Sequence, residues 1–278
     1  MYLITGASGN VGRHIVAQLH AQGLAVRVLS RTPEKLSLPK AIAVMPGDLS
    51  QPDTLVPALE GVTTAFLFAV PNSAPGFVAA AKRAGVNRVV FLSSNGVEDG
   101  IAQQRDPIAA FHAEIEQTLE ASGLRWTMIR PSTFAANALQ WQWSIRSAGR
   151  VSLPFTQAAS APVHEADIAA VAVQALINDR HAGARYQVTG PESLTQIEQI
   201  QILADVLGRP LEVDELAPDV ARAHMVQHVP VPIVDALFTI WAQSVGKPAF
   251  VSDTVERVTG KPAHTFQQWA VDHCADFQ

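Results

Sequence analysis

The chain begins with three glycines spaced three residues apart, in the segment Thr5-Gly6-Ala7-Ser8-Gly9-Asn10-Val11-Gly12. An apolar run precedes this segment and an amphipathic pattern follows it, which predicts a tight turn from a strand into a helix. In such a turn the first glycine permits the sharp change of direction, the second lets the backbone approach a pyrophosphate, and the third lets the helix pack closely on the strand. Backbone N–H groups at the start of the helix attract phosphate. We therefore expect a dinucleotide to bind through Gly6, Ala7, Ser8, Gly9, Asn10, Val11, Gly12 and Arg13.

An arginine follows the second predicted strand, in the run Val26-Arg27-Val28-Leu29-Ser30-Arg31-Thr32. A site for NAD(H) usually carries Asp or Glu at this point, about twenty residues beyond the glycines, to bind the ribose hydroxyls. No acid is present here, whereas the guanidinium of Arg31 can hold a 2′-phosphate through two charge-assisted hydrogen bonds. Ser30 and Arg13 can assist it. The run favours NADP(H) over NAD(H), with a solvated arginine on a loop as the alternative.

Small and polar residues follow the third, fourth and fifth predicted strands, where ligands bind in open α/β sheets. Asp48 can accept a hydrogen bond from the adenine amino group, or it can cap the next helix. Residues 69–70 end the fourth strand near the expected ribose, and residues 93–94 end the fifth beneath the expected nicotinamide. Turn formation explains these small residues equally well. The remaining cofactor contacts that we expect are Asp48, Leu49, Ala69, Val70, Ser93, Ser94 and Pro131.

Short apolar runs alternate with helical patterns through the first half of the chain. The predicted strands are Tyr2–Thr5, Ala25–Ser30, Ala41–Met45, Thr64–Ala69, Arg88–Ser93 and Trp126–Arg130. The predicted helices lie at about Val11–Gln22, Asp53–Leu59, Gly76–Ala84 and Ile108–Ala121. Strict alternation implies parallel strands joined by right-handed crossovers. Residues 1–150 are therefore predicted to form an NADP-binding, Rossmann-type doubly wound parallel sheet of the α/β class.

Residues 151–278 are predicted to form a smaller, mainly helical substrate lobe. Because no linker separates this lobe from the first part, we expect the two to interleave in one compact unit. The most apolar late segment, from Pro230 to Val245, is interrupted by Asp235 and Gln243, which indicates a core or pocket-lining helix. A helical pattern over Phe134–Ser147 follows the Arg-Pro turn, where its aromatic residues can cover a flat substrate or pack between the lobes. The substrate contacts that we expect are Asn95, Phe134, Asn137 and Trp141.

The bulk composition excludes several classes of function. A net charge of −5, from 20 basic and 25 acidic residues, offers no basic excess for nucleic acid. Cys274 is the only cysteine, which excludes an internal disulfide and a multi-thiolate metal site. His224 and His228 share a helical spacing but lack a third ligand, and we expect no metal. Because no run resembles a signal peptide or spans a membrane, we expect a cytoplasmic protein.

Taken together, the glycine motif, Arg31, Asp48 and the Ser93-Ser94 pair give the chain a likeness to a known group. It resembles the short-chain dehydrogenase/reductase superfamily, and more closely its atypical NmrA-like branch. The later stretches that carry the likeness are residues 112–116, 122–131, 163–169 and 258–262 with Phe266. This resemblance covers nearly the whole chain. It implies nucleotide binding in a group that includes quinone and triphenylmethane-dye reductases and festuclavine-type dehydrogenases.

One departure from that superfamily concerns the proton donor. Conventional members use a Tyr-x-x-x-Lys pair, in which the tyrosine gives a proton and the lysine lowers its pKa. This chain has two tyrosines, Tyr2 and Tyr186, and a glycine stands four residues after each. By the family pattern, Ile108 takes the place of the tyrosine and His112 that of the lysine. His112 is the candidate catalytic residue, to orient the nicotinamide ribose or relay a proton, with a polar residue on a helix face as the alternative.

The missing pair restricts the chemistry. Reduction of an unactivated ketone needs a proton delivered to the developing alkoxide. A quinone, an imine or a cationic dye accepts hydride directly, so the leading hypothesis is an NADPH-dependent reductase of an electrophilic small molecule. Two alternatives stay open: a non-catalytic redox sensor that binds NADP(H) and acts through a protein partner, and a nucleotide-sugar epimerase-like enzyme. The sequence also leaves open whether the protein is a homodimer.

Overall fold

The computed structural model describes residues 1–278 and is built around a parallel sheet of seven strands. The strands of the chain are β1 (Tyr2–Ile4), β2 (Val26–Ser30), β3 (Ala43–Pro46), β4 (Thr64–Leu67), β5 (Arg88–Leu92), β6 (Arg125–Pro131), β7 (Arg150–Leu153), β8 (Ala159–Ser160), β9 (Arg185–Val188), β10 (Leu194–Thr195) and β11 (Glu212–Glu215). The order across the central sheet is β3-β2-β1-β4-β5-β6-β9. The strand order reverses between β1 and β4, which is the point where ligands bind in such sheets. The predicted doubly wound, Rossmann-type sheet is confirmed.

Helices cover both faces of this sheet. The helices of the whole chain, including those of the second lobe, are α1 (Gly12–Ala21), α2 (Val56–Leu59), α3 (Ala74–Arg83), α4 (Pro107–Ala121), α5 (Gln142–Ala148), α6 (Glu165–Ile177), α7 (Gln196–Leu207), α8 (Pro218–Met225), α9 (Val231–Ser244), α10 (Thr254–Thr259) and α11 (Phe266–Asp272). The helix predicted over Phe134–Ser147 is instead a 3-10 helix, Ala135–Trp141, followed by α5. No helix of the structure is both long enough and apolar enough to cross a membrane.

The central strands are apolar on both faces because each face packs under helices. In β5 all five residues are buried. Val90 and Leu92 belong to the core beneath α1 and α6, while Val89 and Phe91 belong to the core beneath α2, α3 and α4. Burial on both faces explains why the sequence reads here as a continuous apolar run rather than an alternating one.

The second lobe contains two small sheets, the parallel pair β7 and β11 and the antiparallel pair β8 and β10. Its own core gathers around Trp269, Phe266 and Phe277, which are at most 1% exposed. Strand β9 belongs to the central sheet and helix α6 packs on it, although both come after residue 150, the expected end of the first domain. The two lobes therefore interleave along the chain.

A buried ion pair joins α4 to the sheet. Arg130 on β6 donates two hydrogen bonds to Glu116 on α4, at 2.9 and 2.6 Å, and both side chains are only 3% exposed. Arg130 also donates to Asp99 at 2.7 Å, and the hydroxyl of Ser93 donates to Glu116. Burial alone would lower the pKa of Arg130, but its bonds to Glu116 and Asp99 outweigh burial and raise it. Arg130 stays charged, and its bonds to Glu116 fix α4 against the ends of β5 and β6.

Replacing Glu116 with alanine tests the contribution of this pair to stability. Glu116→Ala leaves the buried guanidinium with the exposed Asp99 alone, so we expect the free energy of unfolding to fall by about 3–5 kcal/mol. Urea unfolding followed by tryptophan fluorescence measures it. The control is Glu114→Ala, an exposed residue of the same helix, which should change stability by less than about 0.5 kcal/mol. Equal losses in the two variants would contradict the assignment.

Candidate active site

The turn between β1 and α1 is built so closely that two of its positions accept only glycine. Gly6 has a φ of +64°, a left-handed conformation that favours glycine. A Cβ on Gly12 would lie 2.2 Å from the carbonyl oxygen of Gly6 and 2.8 Å from the Cα of Ala7. Real atoms do not approach so closely, so Gly12 is what allows α1 to start directly against the turn.

The tip of the same turn is open. Ser8, Gly9 and Asn10 are exposed, and a Cβ on Gly9 would meet only the carbonyl oxygen of Gly6, at 3.2 Å. Helix α1 has no side-chain cap and no acidic residue in its first turn. Its N-terminus thus offers backbone N–H groups, positive helix dipole and free space at Gly9, which fits the diphosphate of a dinucleotide.

Arg31 and Asp48 follow the ends of the neighbouring strands β2 and β3. Arg31 is exposed and follows the last residue of β2. Asp48 accepts hydrogen bonds from the backbone N–H and the hydroxyl of Ser50, which hold the pKa of its carboxyl below the usual value, and the charge of Arg31 adds to this. The helix-capping alternative for Asp48 is wrong, because the 3-10 helix Pro52–Leu55 has no side-chain cap. Its other carboxylate oxygen remains available for an adenine amino group.

Several expected cofactor contacts have other partners in the structure. Arg13 forms an ion pair with Glu165 on α6, at 3.3 Å. The side chain of Leu49 lies in the core, and that of Ser93 is buried against Glu116, so these two residues can reach a ligand through backbone groups alone. Residues 69–70 are half-buried after β4, and Pro131 is buried at the end of β6.

A cavity of about 660 Å³ lies between the ends of β5 and β6 and the second lobe. Of the residues predicted to contact substrate, Asn95, Asn137 and Trp141 line it, and Ser94 does so as well. Phe134 does not line it. Its ring packs between the cores of the two lobes and its backbone pairs with Val163, which favours the packing alternative, while contact with substrate stays a prediction.

Helix α9 forms one wall of the cavity. Although apolar, it has only two buried residues, Val234 and Ala236. Leu237, Ile240 and Trp241 line the cavity instead, as expected of a pocket-lining helix. Sequence reasoning missed Arg105 and Gln199, which also line it, because neither belongs to an apolar period or a recognisable motif.

His112 lies on α4 next to the cavity, but outside its lining. Its Nδ1 is 2.8 Å from the carbonyl oxygen of Ile108, and its ring packs against Phe91 and Phe111. Burial lowers the pKa of His112, although the contact with Ile108 opposes this. The ring is therefore neutral at pH 7, with Nδ1–H donating to the carbonyl and Nε2 left as an acceptor.

Comparison with known proteins decides the family. A family model described as NAD(P)H-binding matches residues 6–179. The chain is 40% identical over 282 residues to a (4-alkanoyl-5-oxo-2,5-dihydrofuran-3-yl)methyl phosphate reductase of Streptomyces griseus, covering 100% of this chain and 99% of that protein. This protein belongs to the NAD(P)H-binding family. Its likeness to atypical, NmrA-like short-chain dehydrogenases/reductases is confirmed.

Two further similar proteins support the same family and the same fold. An NAD(P)H azoreductase of Xenophilus azovorans is 32% identical over 288 residues, covering 100% of this chain and 99% of that protein. The NADPH-dependent quinone oxidoreductase QOR2 of Escherichia coli, solved with NADPH, superposes with a TM-score of 0.81 at 23% identity, covering 99% and 100% of the two chains. The fold is thus shared over the full length of the chain.

Two glycine variants separate folding from binding in this NAD(P)H-binding protein. Gly9→Ala should lower stability less than Gly12→Ala, because its Cβ makes one tight contact, 3.2 Å from a backbone oxygen, but it should weaken NADPH binding at least about tenfold by filling the diphosphate space. Gly12→Ala should instead lower stability by about 1–3 kcal/mol or more through overpacking. Nucleotide titration by fluorescence and urea unfolding measure the two effects. Full NADPH affinity in Gly9→Ala would refute the diphosphate assignment.

Proposed function

We propose that this protein is an NADPH-dependent reductase that transfers hydride to an electrophilic, conjugated small molecule such as a quinone, an imine or a dye. The observation that carries the proposal is the composition of the cavity. Arg105 and Asp106 are its only titratable side chains, and neither Tyr2 nor Tyr186 lines it. An acceptor that delocalises the incoming charge needs no acid at that point, whereas an unactivated ketone does.

The relatives support an acceptor of this kind. The substrates named for them are an (alkanoyl-oxo-dihydrofuranyl)methyl phosphate, azo compounds and quinones. Each of these accepts electrons at a multiple bond conjugated with a carbonyl group or an aromatic ring. The three molecules differ greatly in shape, so the relatives support the reaction class more firmly than any one substrate.

The binding of the cofactor is assigned to the strand ends of the first lobe. The glycine turn would hold the diphosphate, Arg31 the 2′-phosphate and Asp48 the adenine amino group. Residues 69–70 would border the ribose, and Ser94 with Pro131 the nicotinamide. Bound NADPH supplies the hydride. The chain's own contribution would be to hold the acceptor in the cavity, close to the nicotinamide, and to exclude water with the apolar side chains of α9.

We assign His112 to positioning rather than to proton transfer. The ring is neutral at pH 7, its Nδ1 is tied to the Ile108 carbonyl, and it lies outside the cavity lining. Its free Nε2 can accept a hydrogen bond from a ribose hydroxyl, which is the orienting part of the lysine's role in conventional members. The proton that completes reduction would come from water.

A panel of acceptors tests the proposed reaction. NADPH consumption is followed with a quinone, an azo dye and a triarylmethane dye, and with cyclohexanone as the unactivated ketone. Turnover that rises with enzyme concentration on the conjugated acceptors, and is absent on cyclohexanone, is expected. Tight NADPH binding without turnover on any acceptor would favour the redox sensor, and co-purification of a protein partner would strengthen that reading.

Removal of Arg31 tests the preference for NADPH. Arg31→Ala should raise the Kd for NADPH by about ten- to a hundredfold, the usual effect of losing hydrogen bonds to a charged group, while the Kd for NADH changes little. Fluorescence titration with both nucleotides measures this. Lys35→Ala, which removes a nearby exposed charge, is the control for general electrostatics. A similar loss of affinity for both nucleotides in Arg31→Ala would remove Arg31 from the phosphate role.

A further inference from the structure

Arg105 is the only cationic side chain that lines the substrate cavity. It directly precedes Asp106, the residue that caps α4, and it belongs to the loop between β5 and α4. Its Nη2 lies 4.0 Å from the position that a Cβ on Gly96 would occupy, and Gly96 also lines the cavity. The end of the guanidinium is therefore at the polar end of the cavity, near Ser94 and Asn95.

The guanidinium of Arg105 has no hydrogen-bond partner in the protein. Its nearest acidic groups, the carboxylates of Glu98 and Asp106, both approach Nε, at 3.6 Å, beyond hydrogen-bond distance. Neither terminal nitrogen donates a hydrogen bond to a protein group. They present the planar pair of donors that binds a carboxylate or a phosphate through two parallel hydrogen bonds.

The loop that carries Arg105 is fixed at several points. The side-chain amide of Gln104 makes two hydrogen bonds to the backbone of Glu98, each 2.9 Å long. Asp99 is held by Arg130, and Asp106 accepts a hydrogen bond from the backbone of Ala109 at 2.8 Å. Little backbone freedom is left to lose when a ligand binds, so the position of the Arg105 backbone is set in advance.

The rest of the cavity lining is mainly apolar. Small residues, among them Ala136, Ala158 and Ala161, line the cavity together with the large apolar side chains of α9. Fifteen of the 28 lining residues are hydrophobic. The volume of about 660 Å³ is that of a site for a molecule of drug size. A ligand that fills it needs an extended or flat apolar body.

We propose that the cavity selects amphiphilic substrates, in which an apolar body carries a phosphate or a carboxylate at one end, and that Arg105 binds this anionic group. The inference rests on the proposed reductase function and narrows its substrate class. The two acids at Nε reduce the charge of Arg105 without occupying its terminal nitrogens.

A ligand that cannot be reduced tests the anion site independently of turnover. Trp141 and Trp241 line the cavity, so their fluorescence reports binding. Decyl phosphate should bind the protein at least about tenfold more tightly than decanol, and added salt should weaken the phosphate alone. Arg105→Gln should abolish the difference, whereas Arg146→Gln, an exposed arginine outside the cavity, should preserve it. Glu98→Gln should strengthen phosphate binding, since it removes one competing negative charge.

Turnover provides the second arm of the test. The dye 4-(dimethylamino)azobenzene and its 4′-carboxylate differ by one anionic group. For each dye, kcat/KM of Arg105→Gln is divided by that of the wild type, so the different intrinsic reactivities of the two dyes do not affect the comparison. We expect the variant to lower kcat/KM about tenfold for the carboxylate only. Equal affinity for decyl phosphate and decanol, or equal effects on both dyes, would overturn the anion site while the reductase stands. If phosphate binding depends on Arg105 but no acceptor is turned over, the proposed reductase function is refuted, while the anion-binding role of Arg105 is retained.

Discussion

The contact between Gly12 and the carbonyl of Gly6 sets the position of everything at the ligand-binding edge of the sheet. Because α1 starts directly against the first turn, the end of β1 and the N-terminus of α1 meet at one point. Thr5 transmits that position to the next strand, accepting a hydrogen bond from the backbone of Phe68 while its own hydroxyl donates to Phe66. The strand ends that follow are then placed by the parallel register of the sheet.

The ion pair of Glu116 and Arg130 fixes the elements around the substrate cavity, as the glycine turn fixes the start of α1. It is buried, so it contributes little net stability compared with an apolar pair of the same volume. Its effect is to fix α4, the end of β5 and, through Asp99, the loop before α4 relative to one another. Both the polar end of the cavity and the position of Arg105 depend on that arrangement.

The fold and the cofactor turn were predictable because their signals are local. The spacing of Gly6, Gly9 and Gly12 and the apolar period of α9 are each contained within one segment, and the structure agrees with what they predict. Phe134 and Ser93 were interpreted less well, because their environments come from distant residues: Phe134 pairs with Val163, and Ser93 binds Glu116. Arg105 gave no signal at all, since an exposed arginine in a polar loop reads as solvated until its cavity is seen.

The proposed division of the site between the lobes would explain how one scaffold serves relatives with different acceptors. The cofactor turn is defined by backbone atoms, and changes there damage folding or binding at once. The cavity is defined by side chains from the loop before α4, from the 3-10 helix Ala135–Trp141 and from α9, none of which contributes to the glycine turn. Substitutions in these segments can change the shape and charge of the cavity without moving the cofactor. If Asp106 caps α4 and takes no part in the reaction, the shape of the cavity and the charge of Arg105 are what remain to set specificity.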